Sequence, residues 1–289
     1  MARLSAAAAL IMPVDASADG WRIDRLIHVT GLMTGGLAAL LVALLVFAAI
    51  RWRDRGAAGA RAPVGGQGNG GRGSRRAILA VVGVTTAIFL AVDGNLMVTS
   101  MRDLYGVFLA VSAAEAEPGA VRIEINAQQW VWNARHAGQD GAFATDDDVV
   151  SASDVRVPVG RPVIVQLASS DVVHSFYVPA FRVKLDAVPG RIATAWFRPT
   201  RAGEYEIACA QFCGVHHHLM RGTVTVMDGA AFDRWIAAGS RDARRIAAED
   251  ARARAEEPTR ERPAGVAPAD DPADARRWGW PWRRRGQQR

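Results

Sequence analysis

Residues 26–50, LIHVTGLMTGGLAALLVALLVFAAI, contain no Asp, Glu, Lys or Arg. A run of that length crosses a bilayer with some tilt. Gly31, Gly35, Gly36 and Ala38 within it would let another helix approach closely. Residues 77–101, AILAVVGVTTAIFLAVDGNLMVTSM, form a second apolar stretch, interrupted by Asp93. Asp93 falls roughly 24 Å along a helix from Ala77, so it reads as a solvated charge near the outer interface rather than a mid-membrane functional group. Between the two stretches, residues 51–76 hold seven arginines against one aspartate, with many glycines. This is a flexible loop, and its positive charge assigns it to the cytoplasmic side. The N-terminal segment 1–25 and everything after about residue 101 then lie on the outer side. Residues 1–18 include an Ala-Ser-Ala, but their apolar run is short and cut by Pro13, so the N-terminus is expected to stay uncleaved.

After Pro118 the texture changes. VRIEIN (121–126) and VRVPVG (155–160) alternate apolar and polar residues, and VIVQLAS (163–169) is rich in β-formers. ATAWFRP (193–199), GEYEIAC (203–209) and GTVTVMD (222–228) follow, separated by Gly, Pro and Asp turns. Such spacing predicts an all-β sandwich or barrel over residues 119–236. Residues 237–289 turn Ala-, Arg-, Glu- and Pro-rich and read as a charged, low-complexity tail, with helix near 230–256 and disorder beyond. Trp278, Trp280 and Trp282 beside arginines could touch lipid headgroups. The net charge is +6. No basic face interleaved with aromatics accompanies it, so nucleic-acid binding is not expected. Nearly every basic residue is arginine, and Lys184 is the only lysine.

CAQFCGVHHHLM (209–220) carries both cysteines, three of the six histidines and a methionine. Period two places Tyr205, Ile207 and Cys209 on one strand face, so Cys209 arrives pointing inward. The loop then offers Cys213, His217 and Met220 before the next strand. A disulfide between the cysteines is one reading. Zinc is another, with two Cys and two His, but it leaves Met220 unused. A mononuclear blue copper site leaves one cysteine unused. Two copper ions bridged by both thiolates employ every ligand. A second imidazole must come from elsewhere. His28 lies in the first apolar stretch and His136 in a polar loop, whereas His174 follows VIVQLAS and can reach the same end of a barrel.

DVVHSFYVPAFRVKLDAVPGR and CAQFCGVHHHLM, after two N-terminal spans, resemble subunit II of haem-copper cytochrome c oxidases from about residue 20 to about 235. The resemblance implies a cupredoxin-like Greek-key barrel outside the membrane carrying the dinuclear copper centre called CuA. It implies bridging thiolates from Cys209 and Cys213, imidazole ligands from His174 and His217, a thioether from Met220 and a backbone carbonyl from Gln211. Many members have Glu at the Gln211 position, where it also helps hold magnesium against subunit I, so magnesium is not expected here. Lys184 and Asp186 match a segment that packs on subunit I. In AQQWVWN (127–133), Trp130 matches the tryptophan thought to admit the electron. Asp146, Asp147 and Asp148 could steer a basic cytochrome c.

The implied role is the copper-bearing subunit of a respiratory oxidase in a bacterial-type plasma membrane. It would take electrons from cytochrome c and pass them to haem in subunit I, with subunit III as a further partner. No Cys-x-x-Cys-His occurs, so no covalent haem is expected and the donor is a separate protein. The alternatives are the similar subunit of a nitric oxide reductase and a membrane-anchored copper-binding protein.

Overall fold

The computed structural model describes residues 12–51, 53 and 72–256. They form two compact units: residues 22–107, and a second unit joining the residues up to 21 with those from 108 onward. The tail tryptophans and most of the 51–76 loop lie outside the described residues.

The first unit is a helix pair. Helix α1 spans Gly20–Arg51 and α2 spans Arg72–Asp103, with a π turn at Leu104–Phe108. Each outruns its apolar stretch because the polar flanks remain helical. At 32 residues each, the helices are about 48 Å long, against roughly 30 Å of hydrocarbon. Their apolar side chains point outward, Leu45 being 69% and Leu90 64% exposed, which suits lipid rather than water. Where α1 begins and α2 ends, Arg22 and Arg25 donate to the two oxygens of the buried Asp103, at 2.8 and 3.1 Å. Asp93 is exposed on α2, about 15 Å along the helix from Asp103.

The second unit is built on ten strands in two five-stranded sheets. β1 (Val121–Gln128), β2 (Val131–His136), β3 (Val149–Ala152), β5 (Val163–Ser169) and β8 (Ala193–Phe197) form one, in the order β3-β2-β1-β5-β8. β4 (Asp154–Pro158), β6 (His174–Val178), β7 (Val183–Ala187), β9 (Gly203–Cys209) and β10 (Arg221–Met227) form the other, in the order β4-β10-β9-β6-β7. β1 lies parallel to β5 and β10 parallel to β4, so crossovers between the sheets alternate with the hairpins β1–β2, β6–β7 and β9–β10. Ile123, Ile125, Trp132 and Ala134 from one sheet meet Val155, Phe176, Ile207 and Val224 from the other. Alternation sets that inner face. The opposite face of β1 and β2 is buried too, where Arg135 pairs with Glu124 at 2.7 Å and with Asp148 at 3.4 Å.

Helix α3 (Val111–Glu115) leads into β1. Helix α4 (Gly229–Glu256) follows β10, and Asp228 caps its start by accepting the Ala230 N–H. Phe232, Trp235 and Ile236, at helical spacing, pack on the β core. The domain therefore reaches beyond 236: Ser240 is fully buried and Arg244 bonds Asp147 at 2.6 Å. The segment before α1 also belongs to it. Ser17 bridges Pro199, the Ala16 N–H donates to the Ala180 carbonyl, and the Thr200 N–H donates back to Ala16.

Candidate metal centre

The register of β6 on β9 sets Phe176 opposite Cys209. Residues opposite each other share a face, and period two adds His174 to it, so both ligand types point into the same end of the core. The Cys209 N–H bonds the Met220 carbonyl at 3.2 Å, closing the neck of the loop between β9 and β10. Inside that neck the Cys209 and Cys213 sulfurs lie 3.7 Å apart, and both thiols are free. That gap is far longer than the ~2.05 Å of a disulfide. His217 Nδ1 is 3.5 Å from Cys213 Sγ, and Met220 Sδ is 3.8 Å from the same sulfur and 3.1 Å from His174 Nδ1. His174 and Met220 are fully buried. The ligand atoms of His174, Cys209 and Cys213 all lie within 4.8 Å of one another. His217 meets the cluster at Cys213 Sγ.

The donor set asks for a soft cation. Burial, and then the neighbouring Cys209, push the Cys213 thiol up to about 12. Two adjacent thiols cannot both ionise without a positive charge, and a bound metal supplies it. Thiolates with a buried thioether suit copper better than zinc, which would leave Met220 idle. The Gln211 carbonyl also turns toward the cluster, accepting from Cys209 Sγ at 3.2 Å, while its side chain is exposed.

His174 is steered from outside the ligand set. Its Nε2 lies 2.8 Å from Asp171, whose carboxylate also accepts the Gln129 N–H at 2.6 Å and the Val172 N–H at 2.6 Å. Partial burial opposes ionisation of Asp171, but these donors outweigh it and hold the carboxyl below its usual range. A carboxylate behind a ligating imidazole fixes the tautomer and leaves Nδ1 free for metal. Trp132 packs its ring against His174 at 6.1 Å. Trp130, in the turn from β1 to β2, donates its indole N–H to the Cys213 carbonyl at 3.2 Å.

Other residues singled out in the sequence stand apart. Asp147 and Asp148 are buried and bonded to Arg244, Arg135 and Thr145, so they are neither a docking surface nor a solvated turn. Only Asp146 of the three is exposed. His136 ends β2 fully buried rather than sitting in a polar loop. His28 Nδ1 faces the Asp24 carbonyl on α1, 2.6 Å away. Lys184 and Ser175 both bond Asp186 on β7 and hold its carboxyl low. Asp171 was legible as the aspartate three before His174. Gln129 and His216, which touch the Cys213 carbonyl and Trp130, carried no signal of their own.

Residues 122–227 match the family described as cytochrome c oxidase subunit II, periplasmic domain. The β-domain is thus similar to the cytochrome c oxidase subunit II family, over less than half of the chain. The subunit II resemblance extends to curated proteins. The chain is 37% identical over 139 residues to the alternative cytochrome c oxidase subunit 2 of Bradyrhizobium diazoefficiens, covering 40% of this chain and 50% of that protein. It is 39% identical over 121 residues to cytochrome c oxidase subunit 2 of Cereibacter sphaeroides, covering 42% and 38%. The match therefore spans half or less of either relative. Against the Synechocystis subunit 2 it is 25% identical over 262 residues, covering 80% and 76%. Among solved structures, the periplasmic domain of subunit II of cytochrome oxidase from Bradyrhizobium japonicum aligns at 25% identity with a TM-score of 0.38, over 42% of this chain and 94% of that one. The fold is that of two long apolar helices followed by a cupredoxin-like β-domain.

Proposed function

We propose that this chain is the copper-bearing subunit of a respiratory cytochrome c oxidase. It receives electrons from cytochrome c and hands them to haem in subunit I, where dioxygen is reduced to water. The observation that carries the reading is the convergence of two free thiols, two imidazoles and a buried thioether at one end of a subunit II domain. A dinuclear copper centre held there would supply one-electron storage. Cys209 and Cys213 would bridge it, His174 and His217 would cap it, and Met220 and the Gln211 carbonyl would complete it. The rigid strands hold these groups, and the Asp171 carboxylate sets the His174 tautomer. Trp130 is the surface point at which the electron arrives, linked by its N–H to the Cys213 backbone. The neutral, exposed Gln211 side chain brings no charge for magnesium.

Residues 13–18 precede α1 yet pack on the domain that follows α2. A chain crossing twice returns to the side it left, so this packing supports a two-pass anchor. The arginine-rich 51–76 loop then lies in the cytoplasm and the copper domain on the periplasmic side.

Electron paramagnetic resonance of the copper-loaded protein tests the centre. Hyperfine splitting from one electron shared by two copper nuclei is expected. A four-line spectrum from a single copper, or a silent site holding zinc, overturns the reading. His217→Ala should abolish the visible absorption, while His216→Ala and His218→Ala keep it. Haem analysis and gas consumption of the purified complex check dioxygen as the substrate: nitric oxide turnover without oxygen turnover would refute it.

A further inference from the structure

Two neighbours of His217 are left without a ligand role, and one of them is not idle. The His216 ring stands edge-on against Trp130, with centroids 4.4 Å apart and planes at 84°. The same loop grips Trp130 elsewhere. Its indole N–H reaches the Cys213 carbonyl at 3.2 Å, and Gln129 Nε2 donates to that oxygen at 2.9 Å. Gly214, between those contacts, has φ +119°, and a Cβ there would stand 3.0 Å from Gln129 Nε2 and 3.2 Å from Trp130 Cζ2. The loop that carries the thiols is therefore pressed onto the indole, with glycine where the backbone comes nearest and an imidazole closing the far side. His218 has no such ring contact among the described residues, although both flanking imidazoles are exposed.

We propose that His216 is a positioning residue for electron transfer: its ring braces Trp130 in the rotamer that keeps the indole N–H on the Cys213 carbonyl. The inference rests on the reading that Trp130 admits the electron. Trp130 is only half-buried and lies in a turn. The N–H bond at 3.2 Å and the close Gly214 backbone restrain one edge of the indole and leave its tilt free. An edge-to-face partner fixes that tilt, because the ring's positive edge and negative face attract only in a narrow set of orientations. His216 need not touch copper or the donor to act. It keeps the bonded conformer populated, and transfer follows that population.

The test uses the assembled oxidase with His216→Ala, His216→Phe, His218→Ala and Trp130→Ala, and the full-length chain labelled with ¹⁵N-tryptophan in detergent. His216→Ala should slow transfer from reduced cytochrome c by about two- to tenfold, the weight of one aromatic edge contact. KM and the copper absorption should stay as in wild type. The Trp130 Nε1–H, assigned by its loss in Trp130→Ala, should exchange with solvent faster by a similar factor. His216→Phe should restore both the rate and the protection, and His218→Ala should change neither. Wild-type transfer and exchange in His216→Ala would overturn the proposal, as would a Phe variant as slow as Ala, which would mean that the imidazole meets the donor through its nitrogens. If Trp130→Ala transfers electrons at the wild-type rate, the reading of Trp130 itself fails. If Trp130→Ala is slow and His216→Ala is not, only the bracing role fails.

Discussion

His136 makes the stability of the β-domain depend on pH over a window set by its burial. The ring is fully buried at the end of β2, donates from Nε2 to the Arg156 carbonyl at 2.9 Å and meets Trp235 edge-on at 5.0 Å. Burial is the dominant influence and lowers its pKa from 6.5 to about 4, against the backbone bonds and Asp154, which pull the other way. The unfolded chain therefore takes up this proton first. The stabilisation is complete above about pH 6.5, shrinks as pH falls, and is lost once pH drops through about 4. A gap of about 2.5 pH units at ~1.4 kcal/mol each amounts to roughly 3 kcal/mol, undiminished by solvent because the ring is fully enclosed. Denaturant unfolding of copper-free protein in detergent, followed by near-ultraviolet circular dichroism between pH 7.5 and 4, measures it. His136→Gln keeps a donor for Arg156 but cannot titrate there. The wild type should lose about 3 kcal/mol more than the variant across that range. The carboxyls that titrate lower down are common to both proteins and cancel. Parallel pH curves would refute the reasoning.

Asp171→Asn removes the anionic acceptor behind His174 while preserving volume, and should weaken copper binding about 10–100-fold in a competition titration; an unchanged affinity would show that Asp171 does not set the imidazole. Arg135→Met strips the cation from buried Glu124 and Asp148 and should destabilise the domain by about 3–5 kcal/mol in denaturant; a shift below ~1 kcal/mol would mean that water reaches these carboxylates. Cys213→Ser removes one bridging sulfur, so the copper that remains should give the hyperfine pattern of a single nucleus, and a retained two-copper spectrum would exclude Cys213 as a bridge.

Local reading carried far in this chain because its strongest signals are local. Long apolar runs mark α1 and α2, alternation marks β1 and β4, β-former-rich runs between turns mark β5, β8, β9 and β10, and the four-residue steps from Cys209 to Cys213 to His217 place the donors on one loop. The strands that escaped notice have other causes. β2 carries Asn133 and Arg135 among its apolar residues, because its outer face is buried by pairing Arg135 with Glu124 and Asp148 rather than by apolar contact. β3, β6 and β7 are only four or five residues long and are made by their neighbours' ladders. Asp147 and Asp148 show the same limit from the other side: three consecutive acids look solvated, and only the approach of Arg135 and Arg244, distant in the chain, buries two of them.

The sequence alone therefore established two apolar spans, a β-domain and a donor set too soft and too rich for one zinc. Those follow from residue type and short-range period, which every copy of the motif carries with it. Assembly of the centre is another matter. His174 is 35 residues from Cys209 in the chain, and only the β6–β9 register turns both onto one face. The cage around Trp130 depends on the β1–β2 turn meeting the loop between β9 and β10. Such long-range juxtapositions are set by strand pairing across the whole sandwich, and no single segment encodes them.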